Sequence, residues 1–212
     1  MSFRRNDNTE IINAMKTAIT LDTCIFENYN MNTETMLKHL EPILKTGVKF
    51  VLSEIVMLEL KNHYETTYRT VSRSLLAAHK KLSGFTANRS VFEKLEELTD
   101  LLQTEKASDT ALNLFISETK SEIIPYRNVT LTEIMDAYFK TDAPFRSGKK
   151  KAEFPDAIAV YSLDRWAAHG DCRIAAISSD NDWNVFAEKL PERWTCDKTI
   201  DAAVKRLGNG GR

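Results

Sequence analysis

Two hydrophobic rhythms run along this chain. Short apolar runs centred on Ile19, Val51 and Ala175 alternate with longer segments in which apolar residues return every third or fourth position. The first kind fits parallel strands covered on both faces, and the second fits helices that bury one stripe. Lys16-Thr17-Ala18-Ile19-Thr20-Leu21-Asp22 reads as a first strand ending on an acid, with Thr23 and Cys24 turning into the next segment. Asn32 or Thr33 then caps a helix bearing Met36, Leu37, Leu40, Ile43 and Leu44, and Gly47 closes it. Val48 to Leu52 is a second strand. Ser53 is a natural N-cap for a helix beginning at Glu54, with Val56, Leu60, Tyr64, Val71 and Leu75 as its stripe. Together these pieces make a right-handed βαβ unit.

From about residue 66 to 118 the pattern stays helical, broken at Gly84, and no strand is visible there. This predicts a helical insertion over about 66–125. Ile123-Ile124-Pro125 reads as a short extended piece, and Thr130-x-x-Glu133 is a capping box that opens another helix. A basic loop with Arg146, Lys149, Lys150 and Lys151 leads to Glu153-Phe154-Pro155-Asp156, the start of a helix with Ala159, Leu163 and Trp166 on one face. Pro155 suits the first turn, where its missing N–H is harmless, and Asp156 suits the positive end of the helix dipole. Ile174 to Ile177 is a buried strand that runs into Ser178-Ser179-Asp180. A short helix with Val185 and Phe186 and a last helix over Thr199–Leu207 follow. Residues 1–10 read as loose, with a short helix around Ile11, Ile12 and Met15, and the Gly-Asn-Gly-Gly tail reads as disordered. The alternation predicts an α/β fold, three-layered as α/β/α around a central, mainly parallel sheet, with residues 1–212 as a single domain.

Composition narrows the function classes little. The chain has 212 residues, 42% of them hydrophobic, with only 7 Gly and 5 Pro, enough for a sizeable core. A formal charge of −1 gives no global attraction to nucleic acid, so any polyanion site has to be local. The 3 cysteines, Cys24, Cys172 and Cys196, are odd in number and lack CxxC spacing, which argues against a disulfide framework or a structural zinc. No leader-like or membrane-length apolar run is visible, and a cytoplasmic location is expected.

The chemistry lies in acids at element ends. Asp22, Asp156 and Asp180 fall where a parallel sheet brings strand ends and helix starts together. Glu54 and Glu59 lie on the helix after the second strand, about 140° apart around it, so only one can point squarely at a shared site. Carboxylates converging in one cleft repel, and they stay ionised readily only with a cation among them. Oxygen-only ligands suit Mg²⁺ or Mn²⁺, which can activate water and stabilise charge on a phosphodiester.

Four pieces in order, Leu21-Asp22-Thr23, Ser53-x-x-x-x-Leu58-Glu59-Leu60, Phe154-Pro155-Asp156-Ala157-Ile158-Ala159 and Ile177-Ser178-Ser179-Asp180-Asn181-Asp182-Trp183, resemble the PIN domain superfamily of metal-dependent ribonucleases. The resemblance covers about the first 65 and the last 60 residues. It implies a PIN-like fold of the larger bacterial type with a helical insertion, and Asp22, Glu59, Asp156 and Asp180 as the acidic metal-binding set. Asp182 would be a fifth member. Glu59 is preferred to Glu54 because the family's second acid directly precedes a Leu on this helix. The implied function is Mg²⁺- or Mn²⁺-dependent hydrolysis of single-stranded or structured RNA, with Arg146, Lys149, Lys150 and Lys151 on the backbone. The partner is then nucleic acid, RNA before DNA, with no membrane. Homodimerisation and protein partners stay open.

Plainer readings stand beside these. Asp22 fits a turn, Glu54 and Asp156 fit helix starts, Asp182 fits a cap, and the basic run fits a solvated loop. His39, His63, His79 and His169 lack ligand spacing, and Cys24 lacks the partners of a thiol nucleophile. Trp166, Trp183 and Phe145 fit a core better than base stacking, with Phe145 the one aromatic in the basic loop. Two rival functions remain: an Asp-based phosphatase using Asp22, against which Cys24 occupies the place of a second Asp, and a non-catalytic scaffold binding a partner through the helical insertion.

Overall fold

The computed structural model describes residues 16–82, 89–101, 104–145 and 153–209. Strands β1 (Lys16–Leu21), β2 (Lys49–Ser53), β3 (Glu122–Ile124), β4 (Cys172–Ile177) and β5 (Trp194–Asp197) form one sheet in the order β3-β2-β1-β4-β5. Every neighbouring pair is parallel, so the expectation of a mainly parallel sheet is met in full. Parallel strands need helical crossovers, and these are α1 (Thr23–Asn28), α2 (Thr33–Leu44), α3 (Glu54–Leu82), α4 (Arg89–Leu101), α5 (Thr104–Thr119), α6 (Leu131–Lys140), α7 (Phe154–His169) and α8 (Asn181–Lys189), with α9 (Ile200–Asn209) following β5. Ala18 to Leu21 and Ile174 to Ile177 are buried without alternation, because helices lie on both faces of the sheet. Thus α7 packs on β2, β3 and β4, while α9 packs on β4 and β5 and meets α2. The result is the three-layer α/β/α architecture.

Local chemistry sets the boundaries. Asn32 accepts the Thr35 N–H at 2.9 Å and caps α2, and Gly47 after that helix takes φ +71, a conformation that suits a residue without Cβ. Ser53 ends β2 and accepts the Ile55 N–H at 3.2 Å. Thr130 accepts the Glu133 N–H at 3.3 Å, as the capping pattern predicted.

Several elements differ from the sequence reading. Thr23 and Cys24 enter a helix, α1, directly after Asp22. The Ile123-Ile124 piece is the edge strand β3. Trp194-Thr195-Cys196-Asp197, unread in the sequence, is β5, and α9 runs through Asn209 into the expected tail. Along α3 the fully buried stripe stops at Tyr64, whereas Val71 is exposed and Leu75 half-buried, because the distal turns leave the sheet and meet α4 and α5 instead. Phe115 of α5 returns the helical segment to the core by an edge contact with Phe26 at 5.0 Å. Arg146, Lys149, Lys150, Lys151, the helix read around Ile11 and the last residues after Asn209 lie outside the described residues.

Beyond its pairing with β4, β5 is tied to Asp164 on α7. Its carboxylate accepts from Arg193 Nε at 2.7 Å, Arg193 Nη2 at 3.2 Å and Trp194 Nε1 at 2.8 Å. The Trp194 ring is buried and meets Phe186 and Trp183 edge-on. Replacing Asp164 leaves a part-buried guanidinium and an indole N–H without their acceptor. Asp164→Ala is therefore expected to destabilise the protein by about 2–3 kcal/mol in urea unfolding. A loss below about 0.5 kcal/mol would show that pairing with β4 and ring packing hold β5 without Asp164.

Candidate active site

The sheet changes direction at β1. From β1 the chain moves outward through β2 to β3, then returns across to β4 and β5 on the other side. At such a switch point the loops beyond the two central strands part and leave a crevice at their carboxyl ends. Asp22 follows β1 and Asp180 lies three residues beyond β4, so both flank that crevice. Asp156 enters from the first turn of α7, and Glu59 from the second turn of α3.

Each carboxylate is held by a specific donor. Asp22 is buried, and its Oδ2 accepts from Ser178 Oγ at 2.6 Å and from Cys24 Sγ at 3.0 Å. Glu59 Oε2 accepts from Thr23 Oγ1 at 2.7 Å. Asp156 Oδ1 accepts from the indole N–H of Trp183 at 3.1 Å. Asp180 caps α8, accepting the Asp182 N–H on Oδ1 at 2.7 Å, while its own N–H is bound by Ser178 Oγ at 3.0 Å. Asp182 is buried in the first turn of α8, but the capping is done by Asp180. Glu54 turns elsewhere, accepting the Tyr126 N–H at 3.3 Å.

The acids feel one another. Burial raises the Asp22 carboxyl above its usual range, the hydrogen bonds from Ser178, Cys24 and the Thr23 backbone oppose this, and Asp180 adds to the rise. Burial likewise raises Glu59, against the Thr23 hydrogen bond and His63 and with Asp22 and Glu27. Asp156 is pushed up to about 7, first by burial, then by Asp22, Glu59 and Asp180, with the Trp183 hydrogen bond pulling the other way. Burial and the neighbouring Asp22 charge also raise the Cys24 thiol. Cys24 is thus a protonated donor to Asp22 and not a thiolate nucleophile. Among the described residues no three His, Cys, Asp or Glu side chains form a ready-made metal cage.

Asp156 lies within electrostatic range of Asp22, Glu59 and Asp180, and Asp22 within range of Asp180, whereas Glu54 is engaged by the Tyr126 N–H. The structure also adds Thr23, Ser178 and Trp183 as the residues that orient the acids. All three lie inside the four quoted stretches, yet nothing in their spacing announced a hydrogen-bonding role. Phe145 is only 2% exposed, wedged against Tyr138 and Phe154, so it is core and not a stacking platform.

A family model described as PIN domain matches residues 19–183. The chain belongs to the PIN domain family. That span takes in all four acids and most of the fold. PIN domains are in general metal-dependent nucleases. No curated protein and no solved structure matches this chain. No helix among the described residues is long and apolar enough to cross a membrane.

The raised carboxyl of Asp156 gives this PIN domain a pH signature without added cation. Its folded pKa of about 7 lies above the ordinary 3.8, so the folded state holds the proton more tightly than the unfolded chain. Asp156 therefore contributes stability at low pH that is lost as pH rises between those values, at up to about 1.4 kcal/mol per pH unit. Urea titrations in EDTA between pH 5 and pH 8 (roughly the upper part of that window) should show falling stability, and Asp156→Asn should flatten the fall. An identical slope in the variant would place the acid in ordinary solvent.

Proposed function

We propose that this PIN domain is a Mg²⁺- or Mn²⁺-dependent nuclease acting in the cytoplasm on single-stranded or structured RNA. The supporting observation is that Asp22, Glu59 and Asp156 are all raised, first by burial and then by neighbouring acids: Asp180 acts on Asp22, Asp22 on Glu59, and Asp22, Glu59 and Asp180 on Asp156. The donor chemistry fits a hard cation, because the converging groups offer carboxylate oxygens and burial raises both nearby thiols, Cys24 and Cys196, so that they keep their protons. When bound, such a cation lowers the pKa of water and offsets charge that builds on a phosphodiester.

The chain's own residues set the geometry. Ser178 and Cys24 engage one oxygen of Asp22, which fixes the direction of the other. Thr23 does the same for Glu59, and Trp183 for Asp156. These four acids are the proposed ligands, with Asp182 the fifth candidate. Arg146, Lys149, Lys150 and Lys151 precede Asp156 in the sequence and are the proposed phosphate contacts, where cations position a backbone without reading its bases. The preference for RNA rests on the family resemblance. The scaffold reading draws on exposed Leu76 and Leu98 along α3 and α4, a surface that the hydrolytic reading leaves unused.

Mn²⁺ at about a hundred times its Kd should stabilise the protein by about 2.7 kcal/mol, roughly 5–10 °C in Tm. Asp22→Asn and Asp156→Asn should lose most of that shift. Labelled single-stranded RNA should be cut with Mn²⁺ or Mg²⁺, not in EDTA, and at least about a hundredfold more slowly by either variant. Cutting that survives EDTA and both substitutions would remove the metal-dependent reading. A metal-induced Tm shift without cleavage of any RNA or DNA would favour the scaffold.

A further inference from the structure

We propose that a small cavity at the amino ends of β1, β4 and β5, walled by Arg173, Arg193 and Arg206, is a binding site for one phosphate group. It lies at the opposite edge of the sheet from the acids, since Thr17 and Arg173 stand near the starts of strands whose far ends lead to Asp22 and Asp180, roughly 15 Å away. The site therefore stands apart from the nuclease reading. Three guanidinium groups and the hydroxyls of Thr17 and Thr195 line a cavity of about 70 Å³, and no carboxylate among the described residues lines it. That volume exceeds the roughly 10–15 Å³ that one water needs and falls well short of the roughly 300 Å³ at which pockets for whole small molecules begin. It suits one compact oxyanion.

The fold aims these groups at one place. Thr17 pairs with Arg173 across β1 and β4, and Thr195 pairs with Ala175, two residues beyond Arg173, so all three side chains leave the same face of the sheet. Asp197, two residues beyond Thr195, shares that face and accepts from Arg206 Nε at 2.8 Å, which brings α9 over it. The other two guanidinium groups are likewise anchored through Nε, Arg193 on Asp164 at 2.7 Å and Arg173 on the Glu192 carbonyl at 2.8 Å. Anchoring fixes each plane and leaves terminal nitrogens for a ligand: Nη1 on Arg193 and Arg206, and both on Arg173. Two carboxylates serve three cations. Arg173 meets no acid among the described residues, so one positive charge is left over. A tetrahedral phosphate offers oxygens in the several directions from which these donors come, whereas a carboxylate offers two in one plane. Arg173 is exposed, so an ion from solvent can reach it.

The test uses the full chain in EDTA, so that no cation in the acidic cleft draws anions, with inorganic phosphate as the probe at constant ionic strength. Phosphate at about ten times its Kd should raise Tm by about 3–5 °C, and acetate at the same concentration should not. In a phosphorus NMR titration, Arg173→Met should weaken binding about tenfold or more, and Thr17→Val about fivefold. Arg173→Lys keeps the charge without the fork and should also bind less tightly than the native chain, which guards against a folding defect in Arg173→Met. Lys16→Met removes the same charge from the residue beside Thr17, whose side chain leaves the other face of β1, and should change the Kd by less than about twofold. No shift with phosphate, an equal shift with acetate, or an unchanged Kd in both Arg173 variants overturns the site. Equal weakening by Lys16→Met also overturns it, because diffuse charge would then hold the ion. Short oligonucleotides with and without a 5′-phosphate identify the source once the site stands. Displacement of inorganic phosphate by the phosphorylated strand alone assigns the site to a strand end, equal displacement by both assigns it to backbone phosphates, and displacement by neither assigns it to free phosphate. Cleavage of RNA, present or absent, leaves each of these outcomes as it is.

Discussion

Like charge forced together at the ends of parallel strands is the constraint on which this structure turns. A helical crossover returns each strand in the same direction, so every strand end emerges on the same edge of the sheet. Where the order reverses between β1 and β4, two of those ends flank a crevice, and each leads to an aspartate. Burial in that crevice raises the carboxyls, and each one that ionises raises its neighbours further. The fold tolerates this because each acid has at least one neutral donor: hydroxyls on Asp22 and Glu59, an indole on Asp156. Neutral donors soften the repulsion without cancelling the charge. A charge-cancelling salt bridge would quench the negative potential that makes the crevice attractive to a cation.

The parts of this arrangement differed in how legible they were. β1, β2 and β4 were plain because strands buried on both faces are continuous apolar runs, and Asp22, Asp156 and Asp180 were plain because they punctuate element ends. β5 was hidden, since Trp194-Thr195-Cys196-Asp197 lies at the sheet edge and its anchoring comes from Asp164, thirty residues away in sequence. β3 spans only Glu122–Ile124 and is defined by pairing with β2, not by its own composition. The far turns of α3 misled for a related reason. Val71 and Leu75 keep helical spacing beyond the reach of the sheet, and periodicity records spacing, not what lies opposite.

The choice between Glu54 and Glu59 shows what family resemblance added. Periodicity could say only that the two point in different directions. The Leu-Glu-Leu setting selected Glu59, whose carboxylate accepts from Thr23, the neighbour of Asp22, whereas Glu54 receives the Tyr126 N–H. Phe145 went the other way. Its place in a basic loop suggested base contact, but it closes an aromatic cluster from inside, and the exposed ring of that cluster is Phe139. Sequence proximity to cations could not separate the buried ring from the exposed one, because Phe145 is buried by its packing on Tyr138 and Phe154, which spacing does not record.

Ser178 ties the cleft to a part of the chain outside the family match. Its Oγ holds Asp22 and accepts the Asp180 N–H, so one hydroxyl orients two acids from opposite central strands. Its backbone N–H bonds the Asp197 carbonyl at 2.9 Å, and Asp197 ends β5, beyond the matched span of 19–183. Asp22 closes the same corner through its own N–H, which bonds the Ile177 carbonyl at 3.1 Å. The rigidity of the acidic cleft therefore depends on an edge strand that carries none of the acids. Because the Asp164 network fixes that strand to α7, and α7 carries Asp156, the same helix supports the site twice: once through a carboxylate in its first turn, and again through the strand that braces Ser178.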